Sequence, residues 1–221
     1  MTPRAVIRPY RPEDRAAVYD ICIRTGDKGG DARHLYRDHD LLPDIFAGPY
    51  VALEPELSFV ADNGSRAVGY IVGTADTAFF VRRYRAAWLP RLTYRYPPRP
   101  GRPAGTPTDE MVRLMHSPER MILPELAAYP AHLHIDLLPD YQRMGLGRAL
   151  TEHLLDALFL SGVPAVHLSL ATENTKARPF YDHMGFGEIA VPGDDGGVTY
   201  LGRSTRRESA SGTADEEPLA R

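Results

Sequence analysis

The sequence predicts a single α/β domain, and three stretches of the 221-residue chain carry that prediction. Leu133, Ile135 and Leu137 alternate with His134 and Asp136, the period of a half-buried strand. That strand runs through a glycine loop into Ala149, Leu150, Leu154, Ala157 and Leu158, which recur at helical spacing until Gly162 and Pro164 stop them. Residues 58–61 and 67–74 read as two strands around the turn Asp62-Asn63-Gly64-Ser65, a hairpin.

The other elements follow in order. Ala5-Val6-Ile7-Arg8-Pro9-Tyr10 is a short strand, and Pro12-Glu13-Asp14 opens a helix with proline in its first turn and acids at its positive end. Val18, Ile21 and Cys22 form the apolar face of that helix, and Gly26 ends it. A polar loop from Asp27 to Asp31 leads to a second helical stretch expected near residues 32–46. Phe80, Tyr84, Trp88, Leu92 and Tyr96 then recur every four residues among Arg82, Arg83, Arg85, Arg91 and Arg95. An amphipathic helix with its aromatics inward is favoured there over a nucleic-acid stacking surface, with Pro90 breaking or kinking it.

Residues 97–105, rich in proline and glycine, cannot hold a helix and read as a mobile excursion. Thr108-Asp109-Glu110 can cap a helix through Met111, Leu114 and Met115. A strand at 165–170, a helix at about 174–184 and two strands near 187–191 and 198–202 close the chain. The expected organisation is one domain over residues 1–205, with an insertion at about 75–130 and a disordered tail at 206–221.

Composition narrows the function classes. Hydrophobic residues make up 43% and charged residues 25%, ordinary for a soluble globular chain. A formal charge of -3 gives no global attraction to nucleic acid or to an anionic membrane, so neither is expected as a partner. Cys22 is the single cysteine, which excludes an intrachain disulfide and suits a small buried hydrophobe. No apolar run approaches membrane-spanning length and no signal-peptide pattern opens the sequence, so the cytoplasm is the expected compartment.

Gln142-Arg143-Met144-Gly145-Leu146-Gly147-Arg148 carries the clearest chemistry. Free N–H groups at a helix start, two glycines and two arginines suit a pyrophosphate. A dinucleotide fingerprint wants a third glycine and an acid about twenty residues on, and a P-loop wants Gly-Lys-Ser/Thr; neither is present. The loop resembles the acyl-CoA loop of the GNAT superfamily of N-acetyltransferases, Gln/Arg-x-x-Gly-x-Gly/Ala, at Gln142, Gly145 and Gly147. A second stretch is similar to that superfamily's Asn-x-x-Ala-x-x-Phe-Tyr-x-x-x-Gly-Phe pattern at Asn174, Ala177, Phe180, Tyr181, Gly185 and Phe186. On structural grounds alone it is a short amphipathic helix with Asn174 as its N-cap and Gly185 as its C-terminal cap. Gly73 to Thr77, Trp88-Leu89-Pro90 and Leu201 to Ser204 further resemble the acetyltransferase-like domain at the C-terminus of O-GlcNAc hydrolases.

The resemblance implies a mixed, mostly antiparallel sheet splayed between the strands ending at Leu137 and Leu170, with helices on both faces and acyl-CoA in the cleft. It implies acetyl-CoA as co-substrate, held by Gln142, Arg143, Met144, Gly145, Leu146, Gly147 and Arg148, with main-chain groups of Ile135 and Leu137 on the pantetheine arm and Asn174 and Tyr181 nearby. Tyr181 is the expected proton donor to the departing thiolate, or else a packing residue beside Phe180. His132, His134 and Asp136 share one strand face, and Asp136 or His134 could serve as base, with Glu173 a weaker candidate. A polar strand face bonded to its surroundings explains the same trio, and no metal is expected there. The function expected is direct acetyl transfer to an amine (a small molecule, an amino sugar or a protein lysine or N-terminus), with a non-catalytic acyl-CoA-binding or interaction module as the alternative. A homodimer is possible.

Overall fold

In a computed structural model, the protein is described over residues 5–98, 101, 105–192 and 197–206. β1 (Val6–Pro9) leads through a 3-10 turn at Pro12–Asp14 into α1 (Arg15–Thr25). Asp14 accepts from Arg8 at 2.7 and 2.8 Å and from the Arg11 N–H at 2.9 Å, which anchors the helix entry to the strand. The single helix expected at 32–46 does not form. Residues 33–42 are turns, and Pro43 and Pro49, which suit only a helix's first turn, start two short helices, α2 (Pro43–Phe46) and α3 (Gly48–Leu53).

The hairpin forms as expected from β2 (Ser58–Asp62) and β3 (Ala67–Thr74), with Gly64 at φ +91° in its turn. The aromatic stretch becomes α4 (Thr77–Arg83), a π turn at Tyr84–Trp88, and α5 (Leu89–Leu92). The wider turn shifts the register so that Pro90 falls in the first turn of α5, where a missing N–H costs nothing. Phe80, Tyr84, Trp88, Leu92 and Tyr96 are all buried, as the amphipathic reading expects. α6 (Pro107–Met115) begins earlier than Thr108: its cap is Thr106, whose hydroxyl accepts from the Asp109 N–H at 3.1 Å. Most of the proline-rich excursion and the tail beyond Arg206 lie outside the described residues.

The second half of the chain supplies β4 (Ala131–Leu137), α7 (Leu146–Leu160), β5 (Ala165–Ala171), α8 (Arg178–His183), β6 (Gly187–Ile189) and β7 (Val198–Ser204). The seven strands form one sheet in the order β1-β2-β3-β4-β5-β7-β6. Every neighbouring pair is antiparallel except β4 and β5. α7 packs on one face and α1 with α3 on the other. Gly73 admits α7 closely, since a Cβ there would stand 3.1 Å from a Leu154 methyl.

The parallel pair is what shapes the site. β4 and β5 are joined only at Ala131–Val166 and His132–His167. Beyond them β4 stays paired to β3 as far as Leu137, and β5 to β7 as far as Ala171. The two strands therefore part, and the sheet opens into a cleft. That is the splayed, mostly antiparallel arrangement that the resemblance implies.

Candidate active site

One wall of the cleft is the free edge of β4. Leu138 donates its N–H to Val68 O at 3.0 Å, toward β3. Because successive residues of a strand turn their main-chain groups to alternate edges, Leu137 and Ile135 present theirs to the opening. Leu137 O already receives the Gln142 side-chain amide at 3.0 Å, so Gln142 ties the glycine loop to the strand end.

The loop itself is a concave run of amides. Gly145 has φ +80° and, less commonly, Arg143 has φ +59°. A left-handed arginine is a strained arrangement, the kind retained where N–H groups must converge. The first N–H of α7 to bond within the helix is that of Ala149, to Gly145 O at 3.0 Å, so the amides before it remain at the positive helix end. Arg143, Met144 and Arg148 are exposed there, and Arg148 pairs loosely with Glu152 at 3.3 Å. Leu146 opens the helix and packs its side chain against the core.

The two glycines differ in kind. A Cβ at Gly145 would find nothing within 4 Å, so the need for glycine there is conformational. At Gly147 a Cβ would stand 3.3 Å from both Leu137 Cδ1 and Phe180 Cε2. Gly147 thus lets α7 sit against β4 and α8.

The face of β4 toward α1 carries a polar row. Asp136 is half-buried and accepts the Tyr70 hydroxyl at 2.5 Å. Burial pushes its carboxyl up to about 6, against the opposing hydrogen bonds from Tyr70 and Thr25. Cys22 is hydrogen-bonded to Tyr70, so the fold brings the only thiol behind Asp136 although its segment is remote in sequence. The thiol is buried, and burial followed by the Asp136 charge raises it well above the usual range, which leaves it protonated and a poor nucleophile.

The histidines form a one-directional chain. The Thr77 hydroxyl donates to Pro130 O at 2.8 Å, so its oxygen accepts from His132 Nδ1 at 2.8 Å. His132 Nε2 then accepts from the Tyr50 hydroxyl at 2.7 Å, and Tyr50 accepts from His134 Nε2 at 3.1 Å. Burial holds both rings neutral, so His134 keeps the lone pair of Nδ1 at the end of the chain. Burial holds His132 well below its usual value and His134 down to about 4. Among the described residues, no three metal-ligating side chains converge.

The other wall is β5 and α8. Tyr181 is half-buried between Phe180 and Phe186, with ring centroids 5.2 and 5.7 Å away. Burial raises its phenol above the usual value, and the one charge acting on it is Asp136. Asp136, far from Tyr181 in sequence, is thus near enough for its charge to act on the phenol. Asn174 does not cap α8: it sits in a turn at the end of β5, its carbonyl accepting from the Ala177 N–H at 3.2 Å, and Ala177 occupies the cap position. Pro179, suited to a first turn, sets the later start. Glu173 is exposed and paired with Lys28 of the Asp27–Asp31 loop, away from the row. Tyr70, Tyr50 and Thr25 were not singled out from the sequence, because only strand register and helix packing put them against β4.

This geometry has relatives. The model of the Acetyltransferase (GNAT) family matches residues 114–186, which span β4, the loop, α7, β5 and α8. The crystal structure of SsHAT is 59% identical, covers 93% of this chain and 100% of its own, and superposes with a TM-score of 0.88. Protein O-GlcNAcase of Rattus norvegicus is 28% identical over 201 residues, 90% of this chain but 22% of that protein. The chain therefore spans about a fifth of the length of that relative. The ribosomal protein bS18-alanine N-acetyltransferase of Escherichia coli (strain K12) is 47% identical over 53 residues, 24% of this chain and 36% of its own. With the splayed sheet, the amide loop and these likenesses together, the chain belongs to the GNAT acetyltransferase family.

Proposed function

We propose that the protein is an acetyl-CoA-dependent N-acetyltransferase that moves the acetyl group directly to an amine while donor and acceptor occupy the cleft together. The observation that supports this most is the parting of β4 and β5 into a cleft with the amide loop at its end.

In this reading the N–H groups from Arg143 to Arg148 hold the donor's pyrophosphate, with Arg143 or Arg148 adding a charge-assisted contact. Ile135 and Leu137 pair their main chain with the pantetheine arm as if it were the missing strand. The thioester carbonyl then lies between the walls. Asp136, ionised above about pH 6, accepts the proton of the incoming ammonium or of the tetrahedral adduct, directly or through water. His134 Nδ1 is the second acceptor on that face. Tyr181 remains protonated at neutral pH and donates to the leaving sulfur. Asn174 supports the wall near the donor.

Titration with acetyl-CoA, followed by CoA release against a panel of amines, tests this reading. Saturable binding with amine-dependent release supports it. Binding with no turnover on any amine, and no effect of Tyr181→Phe, would make the protein an acyl-CoA-binding module instead.

A further inference from the structure

The hydrogen-bonded chain behind His134 runs in one direction, and its far end sets that direction. Thr77 opens α4, and both its N–H and its hydroxyl donate to Pro130 O, each at 2.8 Å. With its proton committed there, the hydroxyl oxygen can only accept, and His132 Nδ1 donates to it at 2.8 Å. Burial keeps His132 neutral, so its Nε2 holds a lone pair and accepts from the Tyr50 hydroxyl at 2.7 Å. Tyr50 has no further proton to give, so His134 Nε2 donates to it at 3.1 Å, which leaves the lone pair of that ring on Nδ1.

Packing holds the members of this chain in place. Thr77, His132 and Tyr50 are buried, and the Tyr50 ring stacks on Phe80 with centroids 4.4 Å apart and planes 19° apart. His132 stands edge-on to Phe80 at 5.5 Å, and His134 edge-on to Phe46 at 5.6 Å. The free end differs from the rest. His134 is half-buried, and its Nδ1 has no hydrogen bond among the described residues. The one buried side-chain polar atom without a partner among those residues is the Tyr84 hydroxyl, so His134 Nδ1 is within reach of solvent.

The chain ends on a peptide carbonyl, which does not take up a proton, so it cannot conduct one away from His134. What it can do is fix a tautomer. A neutral imidazole with its proton on Nδ1 would offer the cleft a donor and no lone pair; with the proton held on Nε2 it offers only an acceptor. Asp136, two residues further on, shares the same face of β4. We infer that Thr77 and His132, acting through Tyr50, are positioning residues that keep His134 Nδ1 an acceptor for an N–H of the incoming amine, beside the carboxylate that takes its proton. The inference rests on the transferase reading above and adds the residues that orient the amine.

Imidazole nitrogen NMR spectra of the isotope-labelled protein test the direction. His132 should carry its proton on Nδ1 and His134 on Nε2; the same tautomer on both rings would overturn the inference. Thr77→Val leaves the buried His132 N–H without an acceptor, so His134 should shift toward the Nδ1–H form. In that variant kcat/KM for an accepted amine should fall about tenfold while acetyl-CoA affinity holds within about twofold. Thr77→Ser, which keeps the hydroxyl, should restore the tautomer and most of the rate. Tyr50→Phe keeps the stack on Phe80 and loses both hydrogen bonds, so it replaces Thr77→Val should that variant not fold; it should mix the His134 tautomers with a similar loss of rate. A lost rate with the tautomers intact, or altered tautomers with the rate intact, would overturn the inference. Should no amine turn over, the transferase reading fails by itself, and titration of the CoA-bound protein with n-butylamine, glucosamine and Nα-acetyl-lysinamide decides the role of His134. An upfield move of its Nδ1 resonance with any of them sustains it; no move with all of them overturns it.

Discussion

Asp136 is useful and costly for the same physical reason. Burial raises its carboxyl from 3.8 to about 6, so the folded protein resists its ionisation. That cost is absent below about pH 3.8, where the group is protonated folded or unfolded, and is complete above about pH 6. Asp136→Asn should therefore stabilise the protein at pH 8 by up to about 3 kcal/mol and leave it little changed near pH 3.5. The same variant should lose turnover and, with a weakly basic amine as acceptor, should abolish the rise in kcat/KM through about pH 6. Thermal unfolding at both pH values and a pH–rate profile check this. Tyr181→Phe keeps the ring contacts with Phe180 and Phe186, so acetyl-CoA affinity should hold within about twofold while kcat falls about a hundredfold. A fall in affinity with kcat preserved would return Tyr181 to a packing role.

At the scale of elements, the glycine loop separates two requirements that look alike in sequence. Gly147→Ala places a methyl 3.3 Å from Leu137 and Phe180, pushing α7 off β4 and α8, and should destabilise the fold by about 1–3 kcal/mol. Gly145→Ala meets no atom but must adopt φ +80°, which costs about 1 kcal/mol in a left-handed position. Urea unfolding should rank Gly147→Ala as the more damaging, and acetyl-CoA titration should show Gly145→Ala, which alters the amide run itself, as the weaker binder per unit of lost stability. The loop and both its flanking elements were legible because strand period, closely spaced glycines and helix spacing are local signals. The helices at 32–46 and 174–184 were not, because Pro43, Pro49 and Pro179 select starting points that apolar spacing does not reveal. The π turn at Tyr84–Trp88 preserved the predicted inward face of the aromatics while moving the proline problem one element along.

Across the whole molecule, buried neutral histidines govern the response to acid. Burial lowers His132, His134 and His167, and the unfolded chain takes up protons near their ordinary value of 6.5. The stability this supplies is present above about pH 6.5 and is lost as pH falls through that window, toward the value of about 4 for His134. Asp44, Glu54 and Asp136, all raised by burial, act in the opposite sense, but the rings of the unfolded chain take up protons from about pH 6.5, above the value of about 6 for Asp136. Tm should drop steadily between pH 6.5 and 5, and a flat profile there would contradict the buried, neutral assignment. Sequence revealed the alternation that puts these groups on one strand face, and the two motifs that place Tyr181. It did not reveal Tyr70 or Tyr50, whose meeting with that face depends on β3–β4 register and on the packing of segments 66 to 84 residues away.

The claim that the parted strands hold donor and acceptor together, with no acetyl-enzyme, is tested most directly by following the acetyl group itself. Protein mixed with acetyl-CoA alone should show no mass increase, on Cys22 or elsewhere; on addition of an accepted amine, CoA and acetylated amine should appear one for one. An acetyl group on the protein before the amine is added, or bound acetyl-CoA that no amine consumes, would contradict it.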